Sequence, residues 1–241
     1  MILKRGTAPF HFWFPRVIEG LNWTSRYLLI TWQKIAPLII LSYCLNFNLI
    51  IIVIIFSIIF GRLGGINQTS LRKIIAFSSI NHLGWIIRGL LNTEILWFIY
   101  FLFYCFLNIC VIYFFYNFKL FNINQTFKIF NSNKFLNVSI FVLLISLGGL
   151  PPFLGFFPKW IIIELIVKNN LYFLLLIILI FTLITLYFYL RIIYASLLLN
   201  YSSTNWNFKF FNLKISIKIL LIINFLSLIG LIIINNFYFF I

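Results

Sequence analysis

Long runs of apolar residues with almost no charge inside them leave this chain few possible folds. Of its 241 residues, 63% are hydrophobic and 9% are charged, whereas soluble chains carry roughly 25% charged residues. A helix needs roughly 20 apolar residues to cross the hydrocarbon core of a bilayer, which is about 30 Å thick. The sequence therefore predicts an all-α integral membrane protein, and its length leaves no room for a sizeable soluble domain.

Eight apolar stretches can be interpreted as membrane spans. They cover residues 2–18, 24–44, 47–61, 70–91, 94–116, 137–166, 170–198 and 217–240. The polar stretch 117–137 between the fifth and sixth spans predicts a loop that lies on the surface. We therefore expect a polytopic protein of about eight transmembrane helices that forms one transmembrane domain, residues 1–241.

Positive charge alternates from one predicted connection to the next. The chain has 18 Lys and Arg against 3 Asp and Glu, a net charge of +15. Most cations adjoin the odd-numbered connections, and the even-numbered ones hold little beyond Lys168. By the positive-inside rule, the odd connections face the compartment in which the chain is made, with both termini opposite. The cations form no single basic face, so the lipid bilayer is the expected partner and nucleic acid is not.

Proline interrupts two of the predicted spans. The first contains Pro9 and Pro15, and the sixth contains Pro151, Pro152 and Pro158 after a pair of glycines. Proline removes a backbone donor and clashes with the preceding turn, so both helices should kink or break near their prolines. Freed backbone groups are tolerated at that depth where they are buried in protein or line a hydrated cavity, and broken helices recur in secondary transporters. A kinked packing helix is the alternative at either break.

Three lysines fall within or beside apolar spans. Lys4 precedes the first break, Lys34 lies inside the second span, and Lys159 follows the proline of the second break. A charge at bilayer depth is costly and marks ion pathways or specific pairing. Because desolvation disfavours the ammonium form, such lysines could take up and release protons and act as stations of a proton relay. The alternative is that their long side chains reach the membrane interface.

The two histidines also lie in apolar spans. His82 follows a Ser-Ser-Ile-Asn sequence, and an imidazole titrates near neutrality, so His82 could carry protons between the lysines. A hydrogen-bonded contact between helices is the other interpretation, and His11 in the first break has the same two. Glu164 and Lys168 have the spacing of a helical ion pair.

The sequence contains no motif for redox chemistry or hydrolysis. Paired carboxylates, a Ser-His-Asp set, Cys-x-x-Cys, a Walker loop and a dinucleotide-binding glycine pattern are all missing. Cys105 and Cys110 are separated by about 140° around a helix, so they do not converge on a metal, and with Cys44 they make no disulfide framework. We expect no cofactor or metal in this chain.

Five sequence motifs follow one another along the chain. They are A-P-F-H-F-W-F-P at 8–15, T-W-Q-K-I-A-P at 31–37, G-G-I-N-Q-T-S-L-R-K at 64–73 with F-S-S-I-N-H-L-G-W at 77–85, L-G-G-L-P-P-F-L-G-F-F-P-K-W at 147–160, and L-Y-F-Y-L-R at 186–191. In this order and at these spacings they resemble the NADH-ubiquinone oxidoreductase chain 2 family, the antiporter-like membrane subunits of mitochondrial complex I.

The resemblance implies a core membrane subunit that takes part in proton translocation, driven by electron transfer from NADH to ubiquinone elsewhere in the complex. Lys4, Lys34 and Lys159 match lysines of the family's proton pathway, and His82 falls near its central axis. NADH, FMN, iron–sulfur clusters and ubiquinone are then expected in other subunits. The implied partners are other membrane-arm subunits, in the mitochondrial inner membrane. A stand-alone cation/proton antiporter and an inactive or structural membrane fragment are the alternatives.

The sequence departs from the family in two ways. The family has further helices, by our interpretation three, upstream of the position of Met1, and one carries a glutamate that partners the first lysine, so we expect an incomplete antiporter-like fold. Arg5, Arg16, Arg62 and Arg88 stand where the family has small or polar residues, or Glu at the position of Arg16. Invertebrate mitochondria read AGA and AGG as Ser and ATA as Met, and this chain has one Met. We therefore expect these four arginines to be serine codons read with the wrong code.

Overall fold

The computed structural model describes residues 2–130, residues 134–198 and four isolated positions within the last predicted span. Within these residues the chain is helical, as predicted, with one isolated β-bridge. A 3₁₀ turn, Leu3–Arg5, is followed by ten α-helices: α1 (Trp13–Gly20), α2 (Trp23–Ile30), α3 (Trp32–Tyr43), α4 (Phe47–Ile66), α5 (Leu71–Leu90), α6 (Glu94–Asn117), α7 (Ile123–Phe130), α8 (Lys134–Gly148), α9 (Phe156–Lys168) and α10 (Tyr172–Leu198). Most of the predicted span 217–240 lies outside the described residues.

Three helices of the described chain are long and apolar enough to cross a membrane. They are α4, α6 and the stretch Tyr172–Tyr194 of α10, with mean hydropathies of 2.6, 2.4 and 2.7. Each of these helices carries apolar side chains around its whole circumference, as expected where one face contacts protein and the other contacts lipid. The third, fifth and seventh predicted spans are therefore confirmed as helices of membrane-crossing length.

Helix α5 lies at the centre of the bundle. Seventeen of its 20 residues are buried, and it contacts α1, α4, α6 and α9. Small residues let α4 approach it closely: a Cβ on Gly61 would lie 2.8 Å from the backbone nitrogen of Asn81, and a Cβ on Gly84 would lie 2.6 Å from Oγ of Ser57. Glycine at a helix contact is a common way for membrane helices to pack without bulky side chains between them. The polar residues Ser78, Ser79, Asn81 and His82 of α5 are consequently enclosed by other helices.

The two breaks predicted from proline are present. In the first, Gly6 has φ +66° and ends the 3₁₀ turn, and helix resumes only at Trp13. In the sixth predicted span, α8 ends at Gly148, Gly149 has φ +73°, and α9 begins at Phe156. Glycine adopts positive φ without the steric cost of a Cβ, so it can end a helix in this way. The second break presents the carbonyls of Leu147 and Gly148 to the interior of the bundle.

The prediction that residues 24–44 form a single helix is wrong. Helices α2 and α3 meet instead at Thr31, which has φ −109° and ψ −74°. Pro37 cannot donate to the carbonyl one turn before it, and the Thr31 hydroxyl donates to the Tyr27 carbonyl at 2.8 Å. A hydroxyl bonded back to its own helix tends to bend that helix. Together these two features place Lys34 in the first turn of α3.

The connection predicted as a loop at 117–137 contains helix α7, so that interpretation is corrected in part. The chain before α7 pairs with the segment that leads into α5: the Leu71 nitrogen donates to the Phe121 carbonyl at 2.9 Å, and the Ile123 nitrogen donates to the Thr69 carbonyl at 3.0 Å. In α7, apolar residues recur at the helical spacing of Ile123, Phe127 and Phe130, which is typical of an amphipathic helix. The polar residues between them concealed this pattern.

Candidate functional site

A cluster of polar side chains lies inside the bundle around α5. Lys34 is 2% exposed, Lys159 is 4% exposed and His82 is 4% exposed. Lys34 comes from α3, His82 from α5 and Lys159 from α9, so three segments far apart in the sequence supply them. For Lys34 and Lys159, burial contradicts the alternative in which their side chains reach the interface.

Lys34 is held by aromatic residues. Its Nζ donates a hydrogen bond to Oη of Tyr104 at 3.4 Å, and it lies 5.0 Å from the ring centre of Phe14 and 5.4 Å from that of Tyr104. The electron-rich faces of aromatic rings attract cations. Phe14 follows the first break and packs against Gly6, where an added Cβ would lie 2.7 Å from its own Cβ. The first broken span therefore positions one wall of the Lys34 site.

Lys159 is held by backbone carbonyls. Its Nζ donates to the Gly148 carbonyl at 2.6 Å and to the Leu147 carbonyl at 3.4 Å. These are among the last carbonyls of α8, which have no partner within the helix because α8 ends there. The negative end of the helix dipole also attracts a cation. The second broken span therefore makes the Lys159 site directly.

His82 lies between aromatic residues of α6. Its Nδ1 is 3.0 Å from Oη of Tyr100, and its ring centre is 5.1 Å from that of Tyr104. Depending on the tautomer, Nδ1 either donates to the tyrosine or accepts from it. Tyr100 in turn stacks on Trp85, with ring centres 6.4 Å apart, and Trp85 lies 5.9 Å from Nζ of Lys159. His82 and its neighbours therefore occupy the space between the two lysines.

The two tyrosines of α6 were missed by the sequence analysis. Tyr100 and Tyr104 are four residues apart and so lie on the same face of the helix, and both are 2% exposed. The buried Asn108 continues that face, and its amide donates to the Tyr104 carbonyl at 2.8 Å. A polar residue at every fourth position of an otherwise apolar span was the available signal.

Lys4 and His11 lie apart from this cluster. Lys4 is exposed in the 3₁₀ turn of the first broken span, so its part in a proton pathway stays a prediction. His11 is buried and stacks between Phe12 and Phe60, with ring centres at 4.4 and 5.1 Å. These ring contacts favour the packing interpretation of His11.

None of the three carboxylates of the chain reaches the buried lysines. Glu164 forms the predicted ion pair with Lys168 at 2.8 Å, and Glu19 pairs with Lys73 at 2.9 Å. Glu94 is exposed at the start of α6. Among the described residues, no carboxylate therefore lies next to Lys34, His82 or Lys159. The described residues also contain no group of three or more potential metal ligands.

Comparison with known proteins gives consistent matches along the chain. The family described as "NADH:quinone oxidoreductase/Mrp antiporter, TM" matches residues 1–185, and that described as "NADH dehydrogenase subunit 2 C-terminus" matches residues 186–238. The NADH-ubiquinone oxidoreductase chain 2 of Aedes aegypti is 50% identical over 98% of this chain and 70% of its own length. That of Anopheles gambiae is 51% identical over 99% of this chain and 70% of its own length.

A solved structure has the same fold. A chain of respiratory complex I from Thermus thermophilus superimposes with a TM-score of 0.81 at 21% identity, over 95% of this chain. The present chain spans about half of that subunit, 54% of its length. The likeness confirms the antiporter-like arrangement of broken helices predicted from the sequence.

Proposed function

This chain belongs to the NADH-ubiquinone oxidoreductase chain 2 family, and on that basis we propose that Lys34, His82 and Lys159 carry protons within a core membrane subunit of respiratory complex I. We assign NADH oxidation and ubiquinone reduction to other subunits. The apolar helices support a membrane location. We infer that the protein spans the mitochondrial inner membrane several times and packs against other subunits of the membrane arm.

The observation that carries the proposal is the burial of two lysines and a histidine around α5 without a carboxylate. Burying an ionisable group is costly, and apolar residues of similar volume often stabilise a core as well or better. A purely structural bundle would therefore gain nothing from lysine at these positions. Groups that bind and release protons are a reason to keep them there.

Electrostatic coupling explains how such a cluster could move protons. Like charges repel strongly where the dielectric constant is low, so a proton bound at one station disfavours a proton at the next. A change of field from a neighbouring subunit can then move a proton from Lys34 towards His82 and Lys159. In this mechanism Lys34 is the central station, and Lys159 lies towards an exit or coupling point.

The stand-alone cation/proton antiporter is the less favoured alternative. One matching family is shared by quinone oxidoreductases and Mrp antiporters, so residues 1–185 do not separate the two functions. Residues 186–238, however, match the C-terminus of NADH dehydrogenase subunit 2. This second match favours a complex I subunit.

The proposal is tested with complex I that carries Lys34→Ala in this subunit, reconstituted into lipid vesicles. We expect protons pumped per NADH oxidised to fall well below the wild-type ratio, because the central station is gone. The matched control is Lys168→Ala, which removes a lysine from an exposed ion pair and should leave the ratio unchanged. An unchanged ratio in Lys34→Ala would support a structural subunit instead.

A further inference from the structure

We propose that the hydroxyl group of Tyr104 passes protons between Lys34 and the polar face of α5. This inference rests on the proposed function and adds a specific relay group to it. Both side chains are buried, Tyr104 at 2% exposure, and Tyr104 is the hydrogen-bond partner of Lys34 Nζ within the described residues. A proton that leaves Lys34 through the described contacts therefore meets Tyr104 first.

The Tyr104 side chain also contacts the polar face of α5. Its ring lies against that of His82, with ring centres 5.1 Å apart. Since Oη accepts from the Lys34 ammonium, the phenolic O–H remains available as a donor. Tyr104 is therefore in contact with both Lys34 and the histidine.

The transfer conserves atoms and electrons. An N–H bond of the Lys34 ammonium breaks as an O–H bond forms on Tyr104, and the original phenolic O–H bond breaks as an N–H bond forms on the imidazole of His82. Lys34 is left as a neutral amine, His82 becomes an imidazolium, and the tyrosine hydroxyl is regenerated without oxidation or reduction.

Tyr100 has a different role in this arrangement. Its hydroxyl lies 3.0 Å from Nδ1 of His82 and its ring stacks on Trp85, and it has no described contact with Lys34. It fixes the orientation of the imidazole, so that the other ring nitrogen is free to face its proton donor. Tyr100 is therefore a positioning residue, and Tyr104 is the relay.

Tyr104→Phe tests the relay, because it removes the hydroxyl and keeps the ring that lies against Lys34. In reconstituted complex I we expect protons pumped per NADH to fall roughly tenfold or more, the usual scale for loss of a proton-transferring group, while assembly is retained. The matched control is Tyr113→Phe, a partly buried tyrosine of the same helix, which should leave pumping unchanged. A solvent deuterium isotope effect on pumping that grows in Tyr104→Phe would further support proton transfer as the slowed step.

Two outcomes separate this inference from the proposed function. If Lys34→Ala abolishes pumping but Tyr104→Phe pumps as well as wild type, the relay is wrong and the proton-carrying role of Lys34 stands. If Lys34→Ala pumps normally, the proposed function is wrong, and the relay falls with it.

A second inference rests on a different set of contacts, those of the buried arginines. We infer that Arg5 and Arg88 are serines in the protein that the mitochondrion makes. Arg5 is 1% exposed, and none of its three guanidinium nitrogens has a hydrogen-bond partner within the described residues. Two guanidinium nitrogens of Arg88 are also buried without a hydrogen-bond partner within the described residues, and the third donates to Asn92 at 2.9 Å. A buried charge without such partners is strongly unfavourable.

The unpartnered nitrogens of Arg5 do not lie at the surface of the described bundle. They are enclosed by this chain itself, so an outside carboxylate would have to open the bundle to reach them. Of the three Glu residues of the chain, two form ion pairs and the third is exposed at the start of α6. Arg62 is better placed, with bonds to Asn81 and the Ile178 carbonyl at 2.8 Å each and one nitrogen without a partner, as in Arg72, so its contacts do not distinguish Arg from Ser.

Arg191 shows what a suitable site looks like in this fold. It donates to the carbonyls of Ile66 and Gln68 just where α4 ends. Arg72 donates to the Glu19 carbonyl at 2.7 Å and lies over the ring of Phe121, although its Nε is buried without a partner. In both cases the accepting carbonyls lie at the end of another helix. Arg5 and Arg88 have no equivalent set of acceptors among the described residues.

Serine suits the buried positions. Three serines of the same core, Ser57, Ser78 and Ser79, each donate to the carbonyl three residues earlier in their own helix, at 2.7–2.8 Å. A serine at position 62 or 88 can bond its own helix in the same way, without a charge to bury. Since AGA and AGG specify Ser in invertebrate mitochondria, translation with the standard code would give Arg at each such codon. Arg16 is exposed, so the structure does not distinguish Arg from Ser at position 16.

Peptide mass spectrometry of the subunit from isolated mitochondria, with the codons of its gene, tests this second inference. We expect peptides with Ser at positions 5 and 88, no tryptic cleavage there, and AGA or AGG codons. Arg72 and Arg191 are the internal controls, with Arg in the peptides and CGN codons. A peptide with Arg at position 5 or 88, or a CGN codon there, would overturn it.

Discussion

Lys34 and Lys159 are both buried lysines beside a broken or kinked helix, yet different chemistry holds their ammonium groups. Lys34 donates to a tyrosine hydroxyl, a group that can accept a proton and give one up. Lys159 donates to the carbonyls of Gly148 and Leu147, which accept hydrogen bonds but do not carry protons onward. Under the proposed function, the surroundings of Lys34 suit proton exchange with a neighbouring group, and those of Lys159 suit holding a proton at a helix end. His82 lies between them.

The largest expected effect is that of Lys159→Ala on both pumping and stability. It should lower the protons pumped per NADH, and it should also leave buried carbonyls of α8 without a donor. An unsatisfied buried polar group costs about 1–3 kcal/mol, so thermal unfolding of this subunit should begin at a lower temperature than in wild type. Lys34→Met, by contrast, should lose pumping with little loss of stability. Equal stability losses in the two variants would contradict the comparison.

His82→Gln should have the next largest effect. Glutamine can still bond to Tyr100, but it does not take up a proton, so transfer between the two lysines should slow roughly tenfold or more. Measurement of the pumping ratio in reconstituted vesicles checks this. The control is His11→Gln, which changes the histidine stacked between Phe12 and Phe60 and should leave the ratio intact. Equal effects of both variants would remove His82 from the pathway.

Gly149→Ala should disturb Lys159 and spare Lys34. An added Cβ would lie 2.6 Å from Nζ of Lys159, and the backbone has φ +73°, a conformation that costs roughly 1–2 kcal/mol for a residue with a Cβ. We expect reduced pumping and lower thermal stability. Gly20→Ala, where an added Cβ would meet nothing within 4 Å, is the matched control. Wild-type pumping in Gly149→Ala would show that the bond from Lys159 to the α8 carbonyls is dispensable.

Phe14→Leu should have the smallest effect and should act on Lys34 alone. It removes a ring whose centre lies 5.0 Å from Nζ, a contact that favours the ammonium form of Lys34. The hydrogen bond to Tyr104 stays in place, so the pumping rate should fall less than in Tyr104→Phe. A larger loss than in Tyr104→Phe would mean that the ring, and not the hydroxyl, dominates the Lys34 site.

The two buried lysines could be predicted from the sequence because each breaks a local rule. Lys34 and Lys159 are charges in apolar runs, and prolines mark the breaks beside them. A charge or a proline within an apolar span is costly in a membrane, so even one such residue is informative. The same reasoning drew attention to His82 on α5, whose centre carries several polar residues.

The tyrosines and the kink could not be found in that way. Tyr100 and Tyr104 are aromatic and fit an apolar span. Their spacing marks one face of α6, but the packing of α5 against α6 decides that their hydroxyls face α5. The kink at Thr31 is accompanied by a hydrogen bond from its hydroxyl to the Tyr27 carbonyl. A threonine in a helix need not form this bond, so the residue type alone does not predict the kink. Helix α7 depends on pairing with residues more than 50 positions away, through Thr69 and Ser70. Contacts between distant segments, rather than composition, determine these features.

Lys34→Arg is the most direct test of the claim that Lys34 takes up and releases a proton. Arginine keeps the positive charge and can still donate to Tyr104, but a guanidinium does not give up its proton in a protein. In reconstituted complex I, with assembly verified, the account predicts that protons pumped per NADH fall as far as in Lys34→Ala. A wild-type ratio in Lys34→Arg would contradict it, because the position would then need only a fixed positive charge.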